Sequence, residues 1–306
     1  MSADNRSNDP TSDRPRTYAL AGQILHAASL APGLYVVATP IGNLGDITLR
    51  ALETLAAADL VACEDTRVTQ KLLERYQIRA TMTPYHDHNA SAARPAILRR
   101  LSAGSTVALV ADAGTPLISD PGFKLVRAAQ AAGHRVLAVP GASSVLAALC
   151  VAGLPTDRFY FAGFLPAKSS ARAARIAEVA NLQATIVLFE AGSRIAMTLA
   201  DLAERLGTRE AVICRELTKL HEEVRPGLLA EQAAHYAGNA ERRGEFVIVI
   251  APSKEAPVEA VDIDAMLRSA LANSSTKEAV DAVVGATGES RRYVYRRAIA
   301  LKNNAE

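Results

Sequence analysis

Residues 33–48 constrain the fold of this 306-residue chain more than any other segment. An unbroken apolar run at 34–38 is followed at once by Pro, Gly and Asn, and then by apolar residues at helical spacing. Such a run with turn residues behind it is typical of a strand buried on both faces of a parallel sheet. The loop at 40–45 is therefore predicted to join a strand to a helix, where glycines let a ligand approach backbone N–H groups.

By itself this loop leaves two interpretations open. It lacks the Gly-Lys-Ser/Thr ending of a phosphate-binding loop and the spacing of a full dinucleotide fingerprint, although Glu64 lies roughly 20 residues further on. A tight turn that merely needs glycine fits the same residues.

The pattern beyond residue 33 predicts an α/β fold in two parts. In the first, strands at 34–38, 60–63, 107–111 and 136–139 alternate with helices at 48–58, 68–76, 91–102 and 122–132. In the second, strands are predicted at 159–162, 186–189, 212–214 and 246–250, and helices at 193–206 and 229–236. The second alternation is less regular, so antiparallel strands are expected there.

Four segments are predicted along the chain. They are a disordered leader at 1–32, an N-terminal α/β domain at 33–153, a C-terminal α/β domain at 154–252, and a linker with a basic helical tail at 253–306. The leader begins with polar residues and has no apolar stretch of a signal peptide or anchor. The tail is predicted to form a helix, a turn at 285–290 and a second helix.

Composition excludes several classes of protein. Apolar residues make up 49% and charged residues 22%, which is typical of a folded globular protein, and the net charge is only +2. The longest apolar runs are about ten residues, short of the roughly 20 that span a bilayer, so no membrane segment is expected. Cys63, Cys150 and Cys214 are far apart in apolar surroundings, which predicts reduced, buried thiols in a cytoplasmic protein and no metal site.

Polar residues concentrate after four predicted strands, at 39–46, 64–67, 112–122 and 140–144. Ligands of open α/β sheets bind at the carboxyl ends of the strands, so these loops are the predicted site. Ser143 is a natural N-cap for the helix that follows it. The Glu-Asp-Thr-Arg sequence at 64–67 is either a helix cap or part of the site.

Six segments in register carry a resemblance to a known family. They are TPIGNLGD at 39–46, EDTR at 64–67, YHDHN at 85–89, DAGTPLISDPG at 112–122, PGASS at 140–144 and GFLP at 163–166. Over residues 33–252 the chain resembles the ribosomal RNA methyltransferases of the tetrapyrrole methylase fold family, the class III methyltransferases. Its helical tail is similar to the C-terminal extension of those enzymes.

The resemblance implies an activity and an architecture. The activity is S-adenosylmethionine-dependent methylation of the ribose 2′-oxygen of a cytidine in the decoding region of small-subunit (16S) ribosomal RNA. The architecture is a pair of α/β domains with the cofactor in the cleft between them, assembled as a homodimer. The implied partner is small-subunit ribosomal RNA in the cytoplasm, with no DNA and no membrane.

The same resemblance assigns residues to S-adenosylmethionine. Carried over by motif, the cofactor contacts are Pro40, Ile41, Ala113, Gly114, Thr115, Ile118, Ser143, Ser144, Leu217 and Gly244. Small residues at these positions allow close approach to backbone donors and acceptors in a largely apolar slot.

Candidates for catalysis come from the polar segments. A ribose hydroxyl is a weak nucleophile, and a nearby base or cation would help it lose its proton. Lys219 is the first candidate and Glu216 the second, although a solvated helix charge would also explain Lys219. Arg67 and Asn89 are candidates for positioning the RNA. His86 and His88 are expected to face the surface or the RNA rather than a metal ion.

Three other functions remain open from the sequence. A methylase of a tetrapyrrole precursor or other small substrate would share the fold, but its first loop usually reads Gly-x-Gly-Pro-Gly-Asp. A non-catalytic RNA-binding or ribosome-assembly factor would bind RNA without the cofactor. A nucleotide-dependent oxidoreductase would need the fingerprint that this chain lacks. For the tail, with five basic side chains against one acid between residues 286 and 302, RNA docking competes with packing on the body or at a dimer seam.

Overall fold

The computed structural model describes residues 16–238, 240–253, 263–272, 274–287 and 289–303. Within these, one compact unit comprises residues 16–180 and 184–252, and a second comprises 181–183 and the residues from 253 on. None of the helices in the described ranges has the length and apolar character needed to cross a membrane.

Strands and helices are numbered here in chain order over the described residues. The strands are β1 (Thr17–Leu20), β2 (Gln23–His26), β3 (Gly33–Val37), β4 (Leu60–Cys63), β5 (Met82–Pro84), β6 (Thr106–Val110), β7 (Val136–Val139), β8 (Phe159–Phe164), β9 (Thr185–Ala191), β10 (Glu210–Arg215), β11 (Glu223–Leu228) and β12 (Glu245–Ile250). The helices are α1 (Leu49–Ala57), α2 (Thr66–Arg75), α3 (Ala90–Ser102), α4 (Phe123–Ala131), α5 (Ser144–Ala152), α6 (Ser169–Val179), α7 (Ile195–Leu206), α8 (Leu229–Ala237), α9 (Ile263–Leu271), α10 (Thr276–Thr287) and α11 (Arg291–Asn303).

The first sheet is parallel throughout and has the strand order β5-β4-β6-β3-β7. The apolar run predicted as a buried strand forms β3, next to the sheet edge strand β7, and Leu34 and Val37 have no exposed surface. One face of the sheet packs on α1 and α2, and the other on α3 and α4. Because both faces are covered, ligands can reach the sheet only at the ends of its strands.

The second sheet has the order β11-β10-β12-β9-β8 and is mixed. β8 pairs with β9 in parallel, and the other three pairs are antiparallel, which confirms the expectation of antiparallel strands. β5, β11 and α6 were absent from the sequence prediction. β11 contains Pro226 and Gly227, which an edge strand tolerates and a pattern search reads as a turn. The buried face of α6 carries Arg172, which donates to Asp201. An amphipathic helix would have an apolar residue at the position of Arg172, so the pattern did not indicate a helix.

The prediction that residues 1–32 form a disordered leader is wrong for residues 17–26. These residues form the antiparallel β1–β2 hairpin, while residues 1–15 lie outside the described part of the chain. Tyr18 is buried among residues of α1 and α2, and the Ala19 N–H donates to the Tyr76 carbonyl oxygen at 2.7 Å. The polar composition of the first sixteen residues hid the alternating apolar residues that follow them.

Two smaller predictions also need correction. Cys63 and Cys214 are buried as expected, but Cys150 is exposed on α5 because it lies on the face opposite Ala148 and Leu149. The turn predicted at 285–290 begins later, because α10 continues to Thr287.

The second unit is a three-helix cluster. Leu267 of α9, Val280 and Val283 of α10, and Val294 and Ala298 of α11 form its buried core. Val294 and Ala298 form an apolar face of α11 and have no exposed surface. The linker is predicted to begin at residue 253, and residues 254–262 lie outside the described part of the chain.

The end of β9 and the segment before β12 approach each other closely at Gly192. Its N–H donates to the Gly244 carbonyl oxygen at 3.2 Å, and a Cβ added to Gly192 would overlap the Arg242 carbonyl oxygen. The backbone at this contact cannot accept a side chain without moving.

We therefore expect Gly192→Ala to lower the free energy of unfolding by about 1–3 kcal/mol, because an extra methyl group in a closed contact forces the backbone apart. Urea titration of the full chain measures the change. Gly285→Ala is the control: its added Cβ meets open space within α10, so its stability should be unchanged or slightly higher. Equal stability of the Gly192→Ala variant and the unmodified chain would contradict the prediction.

Candidate functional site

A cavity of about 440 Å³ lies between the two sheets. One wall comes from the loops after β3, β4, β6 and β7, where parallel strands of the first sheet end together. The other wall comes from the ends of β8, β9 and β10 and from the start of β12. The location is the one that the loop analysis predicts for a ligand.

Nine of the ten residues predicted to contact the cofactor line this cavity. They are Ile41, Ala113, Gly114, Thr115, Ile118, Ser143, Ser144, Leu217 and Gly244. The tenth, Pro40, is buried and comes directly before Ile41, which lines the cavity. Five separate segments of the chain therefore meet at one place.

The cavity wall around Gly114 is bare backbone. Thr39 and Gly114 exchange two backbone hydrogen bonds, of 2.9 and 3.0 Å, which tie the first loop to the third. Gly114 has a φ of +77°, and a Cβ there would lie 3.2 Å from the Ile41 side chain. A residue other than glycine would be strained and would narrow the cavity.

The adjoining wall is the N-terminus of α5. Ser143 is the N-cap, as predicted, and its side chain accepts from the Leu146 N–H. The Thr115 hydroxyl donates to the Ala142 carbonyl oxygen at 3.1 Å and so holds the two loops together. Small residues and hydroxyl groups beside apolar Leu217 and Phe189 suit a ligand with both polar and apolar parts.

The two leading catalytic candidates, Lys219 and Glu216, form one ion-paired group. Lys219 Nζ donates to Glu216 Oε1 and to Glu245 Oε2, each at 2.9 Å. Burial would lower the pKa of Lys219, but the hydrogen bonds and charges of the two carboxylates outweigh it and raise the pKa. Lys219 therefore stays protonated at neutral pH. Of the two roles considered for it, base or cation, the structure favours the cation.

The backbone around this ion pair is strained. Glu216 and Thr218 have φ values of 49° and 65°, in the left-handed region that residues with a Cβ rarely adopt. The Glu245 N–H also donates to Glu216 Oε1, at 2.9 Å. The ion pair thus fastens the end of β10 to the start of β12 beside the cavity.

Three carboxylates on the opposite wall were missed as a group by the sequence analysis. They are Glu64 after β4, and Asp112 and Asp120 in the loop after β6. Burial raises the pKa of Asp120 to about 7, with further contributions from the charges of Glu64 and Asp112. Both neighbours also have raised pKa values, chiefly through burial. One feature could have predicted this group: an acidic residue closely follows each of β4 and β6, which are adjacent parallel strands.

A second cavity of about 470 Å³ adjoins the first. It is lined by Glu64, Asp65, Thr66, Arg67, Pro84, His86, His88 and Asp112, and thus shares Glu64 and Asp112 with the first cavity. Arg67, predicted to position a substrate, lines this cavity and pairs with Asp65, the N-cap of α2. The segment 64–67 is therefore both a helix cap and a cavity wall.

Asn89, a predicted positioning residue, uses its side-chain amide for hydrogen bonds within its own loop. Its Oδ1 accepts from the His86 N–H at 2.9 Å, and its Nδ2 donates to the Pro84 carbonyl oxygen at 3.0 Å. Asn89 lines neither cavity. The amide is used to brace the loop that presents His86.

Comparison with known proteins gives two family matches. The profile of the Tetrapyrrole (Corrin/Porphyrin) Methylases matches residues 33–233, and the profile of the RsmI C-terminal HTH domain matches residues 257–302. Together they extend over most of the chain.

Curated relatives and solved structures agree with these matches. The chain is 49% identical to "Ribosomal RNA small subunit methyltransferase I" of Mesorhizobium japonicum, over 91% of this chain and 95% of the relative. It is also 49% identical to the protein of the same name from Erythrobacter litoralis, over 90% and 98%. Among solved structures it is similar to the methyltransferase CobJ, with a TM-score of 0.55 and 18% identity over 74% of this chain and 97% of that chain. Diphthine synthase has a TM-score of 0.53 and 18% identity over 71% and 89%. At such identities the structures show a common fold.

Proposed function

The chain belongs to the tetrapyrrole methylases and, among them, to the family of ribosomal RNA small subunit methyltransferase I, and from this premise we propose the reaction in detail. In the proposed reaction, the enzyme transfers a methyl group from S-adenosylmethionine to the ribose 2′-oxygen of a cytidine in the decoding region of small-subunit (16S) ribosomal RNA. The observation that carries the proposal is the convergence of five family segments on one cavity beside a group of carboxylates. A ribosomal substrate puts this activity in the cytoplasm.

The first cavity suits the proposed cofactor. Gly114 leaves backbone exposed where a side chain would fill the space, and Ser143 and Ser144 offer hydroxyl groups at a helix N-terminus. Leu217 and Ile41 supply apolar surface for the remainder of the ligand. When bound, S-adenosylmethionine supplies an electrophilic methyl group on a sulfonium. The chain's own contribution is to hold the ligand and the ribose in line.

Asp120 is the proposed proton acceptor. The ribose hydroxyl loses its proton as its oxygen attacks, and a base is most effective when its pKa lies near the working pH. Asp120, with a pKa of about 7, meets that condition, whereas Lys219 is held protonated by Glu216 and Glu245. The hydroxyl proton passes to the Asp120 carboxylate, and Lys219 keeps the opposite wall in place.

The tail is proposed to bind the phosphate backbone of the RNA. On α11, Arg292, Tyr295 and Arg296 are exposed, and within the described residues neither arginine has an ion-pair partner. The opposite face of α11 forms the core of its own unit. A-form RNA does not admit a helix into its deep groove, so contacts to phosphates and stacking on exposed bases are the expected mode.

The expected homodimer stays a prediction. Leu146 and Val151 are exposed apolar residues on α5, as a helix covered by a second chain would have. Sedimentation equilibrium of the full chain would test this, and a mass of one chain would contradict it.

The reaction is tested with labelled S-adenosylmethionine and small ribosomal subunits that lack the modification. We expect label on the ribose 2′-oxygen of a decoding-region cytidine, located by nuclease digestion and mass spectrometry. Subunits that already carry the modification serve as the control and should take up none. Cofactor binding without label on RNA would point to a small-molecule substrate, and RNA binding without cofactor binding would point to a non-catalytic factor.

Substitution of Asp120 tests its role as proton acceptor. Because the carboxylate must be ionised to accept a proton, the single-turnover rate should rise with pH through about 7. We expect Asp120→Asn to lower the rate by roughly 10²–10⁴-fold and to remove that rise. An unchanged pH profile in the variant would contradict the assignment.

Thermal unfolding provides the matching control for structure. The raised folded-state pKa means that protonated Asp120 contributes stability at low pH, which is lost as the pH rises through about 7. Asp120→Asn should therefore unfold at a higher temperature than the unmodified chain above pH 7. If the variant is folded and more stable but methylates slowly, its lower rate comes from the missing carboxylate and not from unfolding.

The basic face of the tail is tested by the double substitution Arg292→Ala and Arg296→Ala. RNA affinity should fall, and the slope of its logarithm against that of salt concentration should shrink by about two, since each phosphate contact contributes about one. Arg268→Ala, an exposed arginine on α9, is the matched control. An unaltered salt slope would exclude this face as a phosphate contact.

A further inference from the structure

The second cavity has a chemical character that the proposed methyl transfer does not use. Carboxylates, two histidines and an arginine line it, and it meets the first cavity at Glu64 and Asp112. A ligand in the second cavity would therefore lie against the wall that carries Glu64 and Asp112, near the proposed proton acceptor Asp120. A nucleotide whose ribose is at that wall would place its base in the second cavity.

The most informative residue lining this cavity is His86. Its Nδ1 is shielded from solvent, yet no hydrogen-bond partner for it exists in the described part of the chain. An unsatisfied buried polar atom costs about 1–3 kcal/mol, and native structures contain few of them without a reason. A ligand that hydrogen-bonds to this nitrogen would supply the missing partner.

The loop that presents His86 is held rigidly. Asn89 Oδ1 accepts from the His86 N–H, and the His86 carbonyl oxygen accepts from the N–H groups of Asn89 and Ala90. The His86 ring also contacts the His88 ring edge to face, with centroids 6.0 Å apart. The backbone that carries the imidazole is therefore fixed before any ligand arrives, which favours specific recognition.

The neighbouring acceptor is the Glu64 carboxylate. It is half-buried, and the His86 ring is close enough to contribute to its electrostatics. Asp112, the other shared acid, already accepts from the Asp65 N–H at 2.9 Å. Both groups line this cavity, so it offers a carboxylate acceptor together with an imidazole that donates when Nδ1 carries the proton.

This combination of a donor and an acceptor is complementary to the hydrogen-bonding groups of cytosine and not to those of uracil. Cytosine presents an exocyclic amine as donor next to ring acceptors, and carboxylates accept from that amine in known recognition. Uracil presents a carbonyl oxygen at the same place, which would face the Glu64 carboxylate without a proton between them. A site that leaves a buried polar group unpaired rejects the wrong ligand strongly.

We propose that the second cavity holds the target base, turned out of the RNA stack, and selects cytosine through hydrogen bonds to His86 and Glu64. The inference rests on the proposed function for its biological meaning. Extrusion from the stack would let the base enter this cavity, at the unstacking cost that base-flipping enzymes meet. Arg67 lines the same cavity, and although it pairs with Asp65, its side chain is 86% exposed, so a phosphate of the RNA can approach it from solvent.

The first experiment measures binding without catalysis. Cytidine 5′-monophosphate and uridine 5′-monophosphate are titrated into the full chain, and affinities are obtained by calorimetry or ligand-detected NMR. We expect the cytidine nucleotide to bind at least about 10-fold more tightly, as one good hydrogen-bonded base contact provides. His86→Ala should weaken cytidine nucleotide binding, and Glu64→Gln should remove the preference because its amide can donate to uracil.

The second experiment measures methylation of a decoding-region RNA that carries either cytidine or uridine at the target. The ratio of kcat/KM for the two RNAs should fall by about 10-fold or more in Glu64→Gln. His134→Ala, a histidine outside both cavities that bonds Ser102, is the control and should keep the ratio. Melting temperatures establish that each variant is folded.

The outcomes separate the two proposals. Methylated RNA with a cytidine-to-uridine ratio unaffected by His86→Ala and Glu64→Gln would overturn the base pocket and leave the proposed function standing. Absence of RNA methylation would overturn the proposed function, whereas the nucleotide titration would still decide the pocket. Equal binding of the two nucleotides to the unmodified chain would overturn the pocket outright.

Discussion

The parallel pairing of β3, β4, β6 and β7 is the constraint on which the rest of the site depends. Parallel strands end at the same edge of a sheet, so each loop that follows one of them enters the same small region. No single loop has enough residues to enclose a ligand. Four of them together form a wall that carries backbone donors at one end and carboxylates at the other.

The second sheet closes the site through contacts that are individually unfavourable. Glu216 and Thr218 adopt left-handed backbone conformations, and Gly192 permits a contact that no side chain could share. The ion pairs of Lys219 with Glu216 and Glu245 compensate for this strain by joining the end of β10 to the start of β12. Such strain persists only where the surrounding structure over-determines it, and it is commonly found at functional sites.

The fold and the residues that line the first cavity could be predicted from the sequence because both depend on local patterns. Apolar runs mark β3, β4, β6 and β7, and short polar motifs after them mark the loops. β11 was missed because Pro226 and Gly227 resemble a turn, and the β1–β2 hairpin because a polar leader precedes it. The raised pKa of Asp120 could not be predicted from its neighbours in sequence. It comes chiefly from burial in the folded chain and then from the charges of Glu64 and Asp112, which approach it only when the strands pair. The protonation state of Lys219 could not be predicted either, because its partner Glu245 lies at the start of β12, distant in sequence.

The strand order also has a consequence for synthesis of the chain. β3 is the first strand of its sheet to be made, yet its partners are β6 and β7, at Thr106–Val110 and Val136–Val139. At ordinary translation rates it emerges on the order of ten seconds before it can pair. During that interval an apolar strand is unpaired on both edges, which favours aggregation. The stretch of sequence between β3 and β6 therefore sets how long this strand stays unpaired during synthesis.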